Sequence, residues 1–218
     1  MYGNSTEKIF AIGDIHGCLV KLEKMISLID LDEERDTLVF IGDYIDRGPD
    51  PKGVVDFVLD IKKKIKNVIC LLGNHEQMLI NYICHGRDKE LFLFNGGRTT
   101  LASYGYRGMP DGKEITLPDS HMEFFQSLLP WHETENNIFV HAGLRPGIPL
   151  EEQEPEDLNW IRDEFIDSSC DFGKVVVFGH TPMAKPLIQP NKIGIDTGAV
   201  YGGFLTCLEF PGQKIHQV

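Results

Sequence analysis

Five short segments run from an apolar stretch into a glycine beside a side chain that can bind a metal ion. Asp14 and His16 stand in GDIHG, Asp43, Asp46 and Arg47 in GDYIDRG, Asn74 and His75 in GNHE, His141 in HAG, and His180 in GHT. Carboxylate, imidazole and amide oxygen together suit borderline and hard divalent ions, notably Mn, Fe and Zn, and no thiolate joins them. Asp14 and His16 are two apart, so in extended chain they point to one side and can chelate one ion. Asp43 has two oxygens and could bridge two ions held about 3.5 to 4 Å apart, the spacing of two-metal hydrolytic sites. Asn74, His141 and His180 would complete the second ion.

Each piece also has a plain structural reading. GDIHG could be a tight turn with a capping aspartate, GNHE a helix start capped by Asn74, and His141 a satisfied structural histidine. No fold needs a glycine and a ligand at five successive strand ends, however, whereas metal sites draw ligands from separate strand ends and loops in this way. The joint pattern therefore predicts a metal centre.

The elements that must position these groups are legible around them. KIFAIGD, TLVFIGD and NVICLLGN read as buried strands. Between them, residues 19–29 and 53–66 carry apolar side chains near helical spacing. Strand, helix, strand, helix, strand predicts parallel β-α-β units, with the three strand ends facing one crevice. NNIFVHAG and KVVVFGHT repeat the design. Residues 76–130 read as mainly helical with a glycine-rich turn, NGGRTT. EEQEPED reads as a solvated loop. The tail, with PLIQP, NKIGIDTG and GFLTCLEF, predicts short strands joined by turns and an antiparallel second layer.

Composition bounds the rest. The 218 residues, 42% hydrophobic and 25% charged, suit one domain spanning 1–218 with a sizeable core. A formal net charge of −12 argues against a nucleic-acid binder, because phosphate backbones are gripped by clustered Lys and Arg. Bound cations would still allow a phosphate-bearing substrate. KKK at 62–64 reads as the solvated face of a helix. Five scattered cysteines without a C-x-x-C pair predict reduced thiols. No leader-like segment and no apolar run near 20 residues predict a cytoplasmic protein without membrane association. His85, His121, His132 and His216 read as surface or core residues.

GDIHG, GDYIDRG, GNHE, HAG and GHT, in this order, resemble the signature blocks of the phosphoprotein phosphatases in the calcineurin-like metallophosphoesterase superfamily. The likeness is strongest to short bacterial and phage serine/threonine phosphatases. LNWIRDEF, PNKIGIDTGAVYGG and NGGRTT resemble their more variable blocks, so the likeness runs from about Ile9 to Leu208. The resemblance implies an α/β (α+β layered) fold, a β-sandwich flanked by helices with a mainly helical insertion. It also implies two divalent ions, Mn²⁺ in the first place with Fe or Zn as the others. Asp14, His16 and Asp43 would hold one; Asp43, Asn74, His141 and His180 the other.

His75 follows a ligand without being one, matching the family's proton donor to the leaving oxygen. Asp46 would fix its tautomer and favour its protonated form. Arg47 would fork onto phosphate oxygens. Arg162 matches the family's other phosphate-gripping arginine, although a surface salt bridge to Asp163 or Glu164 is the competing reading. Arg98 could line the cleft, and Glu76 reads as support behind the ligands. The implied reaction is hydrolysis of phosphoserine and phosphothreonine esters, with phosphotyrosine open, by direct attack of hydroxide bridging the metals. Phosphoproteins or phosphopeptides would be the partners. The alternative is a symmetrical dinucleoside polyphosphate hydrolase acting on diadenosine tetraphosphate, a branch whose members tend to carry glutamine where this chain has His16. A metal-stabilised scaffold without catalysis is the third reading, opposed by the intact set of His75, Asp46 and ligands.

Overall fold

The computed structural model describes residues 7–108 and 110–218. The first sheet starts with β1 (Ile9–Ile12), β2 (Thr37–Phe40) and β3 (Asn67–Cys70) in parallel, with Ile12 opposite Phe40 and Phe40 opposite Cys70. That register ends the three strands level, so the polar residues after each leave from one edge. The connections are α1 (Leu19–Leu28) and α2 (Pro51–Lys64). Asp50 caps α2 by accepting from Gly53 N at 2.9 Å, and proline takes the first turn, where its missing N–H costs nothing. Lys62, Lys63 and Lys64 form its exposed last turn, where cations complement the helix dipole. α3 (Asn74–His85), α4 (Lys89–Phe94), α5 (Gly97–Ser103) and α6 (Asp119–Gln126) make up the helical insertion.

The chain then builds a second sheet from β4 (Trp131–Glu133), β5 (Asn137–Val140), β6 (Val175–Phe178), β7 (Leu187–Ile188) and β8 (Lys192–Gly194), with α7 (Pro155–Trp160) and α8 (Asp163–Ile166) between β5 and β6. Its order is β4-β5-β6-β8-β7. β9 (Asp196–Thr197), β10 (Phe204–Phe210) and β11 (Lys214–Gln217) return to the first sheet, where β10 pairs antiparallel with β1.

The expected antiparallel second layer is thus corrected. β5, β6 and β8 run parallel, and only the edge strands β4 and β7 are antiparallel. The tail is divided between the two sheets, which local turn chemistry could not foretell. EEQEPED is corrected as well: Pro155 opens α7 inside it, and Gln153 is buried, its side chain bonded to backbone at Arg145 and Ile148.

Period-two alternation sorts the strand residues into layers. Ala11, Val39, Phe139 and Val177 face inward and join the two sheets in one apolar cluster. Phe10, Leu38 and Phe40 face α1 to α3 on one outer side, and Ile138, Val176 and Phe178 face α7 and α8 on the other. The molecule is a β-sandwich flanked by helices, the α/β architecture expected above. Among the described residues no helix is long and apolar enough to cross a membrane.

Candidate metal centre

The ends of β1, β2 and β3 meet those of β5 and β6 across the top of the sandwich. Asp14, His16, Asp43, Asp46, Asn74, His75, His141 and His180 converge there, and none is more than 5% exposed. The glycines follow from this crowding. A Cβ on Gly73 would lie 2.2 Å from Asp43 Oδ1, and one on Gly179 would lie 2.0 Å from Asp14 Oδ1, so any side chain there would displace a carboxylate.

The backbone is unusual at the same place. Seven non-glycine residues among those described have a positive φ, and five are His16, Asp43, Asp46, Arg47 and His180. Such conformations cost about 1 to 3 kcal/mol each and persist only where the surroundings fix them. Glu76 supplies much of that fixing. Its Oε2 accepts from Asp43 N at 2.9 Å and Gly73 N at 3.2 Å, while its Oε1 accepts from Tyr44 N at 2.9 Å and Ile45 N at 3.2 Å. Burial and the Asp43 charge push this carboxyl up to about 8, against backbone donors that favour its charged form.

Asp43 lies at the centre. Its Oδ2 is 3.4 Å from His16 Nε2, and its Oδ1 is 3.4 Å from His141 Nε2. Both imidazoles give their Nδ1–H to a backbone carbonyl, His16 to Ile45 O at 2.8 Å and His141 to Ile41 O at 3.1 Å. Each Nε2 therefore turns a lone pair toward a carboxylate oxygen; the His16 lone pair also meets the Arg47 guanidinium, whereas that of His141 faces acceptor oxygens, an arrangement that a cation resolves, and the carbonyl partner is what a metal-binding histidine normally has. Asn74 Oδ1 sits 3.0 Å from both His141 Nε2 and His180 Nδ1. Asp14 accepts from His180 N with both oxygens, at 3.0 and 3.1 Å. Two groups could hold an ion on ligand distance alone: His16, Asp43 and His75, and Asp43, His141 and His180.

Charge supports the same fit. Burial first, then Asp196 and Asp43, raise Asp14; burial takes Asp43 up to about 7. Burial brings His16 down to about 3 and His141 to about 4, and it lowers His180 further. The histidines are thus neutral donors, and the carboxylates lack a buried positive charge that divalent ions would provide.

His75 falls in the first of those two groups by distance, but its ring is held by Asp46. Its Nδ1 lies 2.6 Å from Asp46 Oδ2, while its buried Nε2 has no hydrogen-bond partner and lies 3.9 Å from Asp43 Oδ2. Thr100 Oγ1 donates to Asp46 Oδ1 at 2.5 Å and accepts from Asp46 N at 2.9 Å. The contact by which Asp46 would fix the tautomer of His75 and favour its protonated form is present, and burial of the ring opposes the second effect. Burial, then His16 and Arg47, lowers His75, and burial raises Asp46.

Arg47 donates from Nη1 to His16 Nε2 at 2.6 Å. Arg162 is exposed at the start of α8, and its Nη1 reaches Thr181 Oγ1 at 3.4 Å beside His180. The competing salt bridge is not formed with Glu164, which pairs with Arg145 at 2.6 Å. Arg98 is exposed in the first turn of α5. Of the other histidines, His121 is buried between Tyr104 and Asp56, His216 meets Glu209, His132 is half-buried and His85 is exposed.

Sequence reading missed two residues here. Asp196 is 7% exposed and its charge acts on Asp14 and Asp43. Thr100 has no exposure at all. Neither follows a motif glycine, although each lay within a stretch already noted, NKIGIDTG and NGGRTT.

A family model described as calcineurin-like phosphoesterase matches residues 7–204. The chain belongs to that family. As a member it is a hydrolase of the metallophosphoesterase class, which uses divalent metals. A bis(5'-nucleosyl)-tetraphosphatase PrpE (asymmetrical) of Geobacillus sp. is 30% identical over 94% of this chain and 91% of its own. A crystal structure of a provisionally assigned diadenosine tetraphosphatase superposes with a TM-score of 0.75 and 26% identity, over 99% of this chain and 94% of the other. A cold-active protein tyrosine phosphatase shares the fold with a TM-score of 0.71 at 17% identity, over 98% of this chain and 79% of that one.

Proposed function

We propose that the chain is a metal-dependent hydrolase of dinucleoside polyphosphates such as diadenosine tetraphosphate. The observation that carries the chemistry is Asp43, each of whose oxygens faces an imidazole lone pair, beside the unpartnered Nε2 of His75. The substrate class is supported by the near-full-length match to a tetraphosphatase. That relative's qualifier is asymmetrical, which supports an off-centre cut in place of the symmetrical one. The phosphoserine and phosphothreonine reading leaned on His16, and the relatives' names outweigh that single residue.

Asp14, His16 and Asp43 would hold one ion, and Asp43, Asn74, His141 and His180 the other, with Mn²⁺ as the expected ion. Divalent ions there lower the pKa of water and draw charge from a phosphate. Arg47 and Arg162 grip the phosphate oxygens, a task suited to the planar guanidinium fork. His75 gives its Nε2 proton to the departing phosphate oxygen. Asp46, pinned by Thr100, fixes the ring, and the negative charge of bound substrate favours the protonated imidazole that burial disfavours. No covalent intermediate is needed. Burial pushes the Cys18 thiol up, away from a nucleophilic thiolate.

The test is product analysis of diadenosine tetraphosphate incubated with Mn²⁺-loaded protein. ATP with AMP is expected, and His75→Asn should abolish it. Two ADP would overturn the off-centre cut, and release of no nucleotide would overturn the reading.

A further inference from the structure

A pocket of about 600 Å³ opens beside the metal centre, lined by Cys18, Arg47, Pro49, Thr99, Ala102 and Val200. That volume lies within the roughly 300–1,000 Å³ of small-molecule sites. Arg47 belongs to both places: its Nη1 reaches His16, and the residue lines the pocket. The guanidinium carbon also lies 5.7 Å from the ring centroid of Tyr201, the neighbour of Val200.

Tyr201 is 64% exposed, unusual for a large ring, yet its loop is anchored. Lys21 Nζ donates to Ala199 O at 3.0 Å and also to Gly203 O. Asp196 Oδ1 accepts from Gly198 N at 2.9 Å, tying the same loop to the metal centre. An aromatic face held in place but open to solvent, next to an arginine that reaches the candidate metal centre, is an arrangement that can stack a base. Pro49, Ala102 and Val200 add apolar walls, and Thr99 offers a hydroxyl.

We propose that this pocket is the nucleoside subsite of the enzyme, with Tyr201 stacking on the base and Arg47 marking the junction between nucleoside and phosphate. The inference rests on the dinucleotide reading above and goes further by assigning the residues that select the substrate.

Adenosine diphosphate and pyrophosphate differ only by the adenosine, so their affinities for Mn²⁺-loaded protein, measured by calorimetry, isolate the subsite. ADP should bind about tenfold tighter, within the range reported for one stacked base. Ala102→Trp fills the pocket from an exposed position on α5, and Tyr201→Ala removes the ring from an exposed loop. In each variant the ratio of the two affinities should fall close to one. Equal affinities in the unaltered protein, or a ratio that survives both substitutions, would overturn the subsite. Turnover of diadenosine tetraphosphate by the same preparation is scored separately. Turnover without adenosine preference would sink the subsite alone, and adenosine preference without turnover would sink the dinucleotide reading alone.

Discussion

The floor of the site and its rim are built on opposite terms. On the floor, Asp43, His141 and His16 are buried and hold fixed partners, and Glu76 clamps the strained backbone at Asp43. At the rim, Arg162, Arg98 and Tyr201 are exposed, and among the described residues the Arg162 side chain makes one hydrogen bond, to Thr181 at 3.4 Å. The floor holds the candidate metal ligands and the His75 ring in place without help from substrate. The rim has side chains open to solvent, and on the function proposed above substrate choice is made there. Chemistry and specificity are therefore separable by mutation.

The largest effect should come from removing the ions. Chelation should take hydrolysis to background, and Mn²⁺ should restore it; activity that survives exhaustive chelation would mean the converging lone pairs serve another purpose. Next comes His75→Asn, which should lower turnover by about 10² to 10⁴, the worth of a general acid, with metal content retained by elemental analysis. Loss of metal in that variant would make His75 a ligand and merge it with the floor proper.

Glu76→Gln tests the clamp. The amide would set its NH₂ against backbone N–H donors and leave them unsatisfied, at about 1 to 3 kcal/mol for each, read by thermal or denaturant unfolding. A change under about 0.5 kcal/mol would show that the strained turn holds itself. The smallest structural effect belongs to Arg162→Ala, expected to move stability by less than about 0.5 kcal/mol while raising KM. An equal loss of stability and activity there would erase the distinction between floor and rim.

The same contrast explains what the sequence revealed. Gly73 and Gly179 have neighbouring carboxylates where a side chain would be, so the floor writes itself into the chain as a glycine beside a ligand. The β-α-β half was legible because its strands are local, parallel and buried. The second sheet was misread because its pairing joins β6 with β8 across a long excursion, and nothing in NKIGIDTG says which neighbour it meets. Thr100 escaped notice because its partner, Asp46, is 54 residues away. Tyr201 and the pocket were invisible because a rim is defined by what its residues leave free.

The most direct test of the account compares kcat/KM for diadenosine tetraphosphate with that for a phosphoserine peptide, using one Mn²⁺-loaded preparation and His75→Asn as the control. The account predicts preference for the dinucleotide, abolished with the peptide activity by the substitution. Preference for the phosphopeptide, equally abolished, would leave the floor intact and contradict the substrate assigned to the rim.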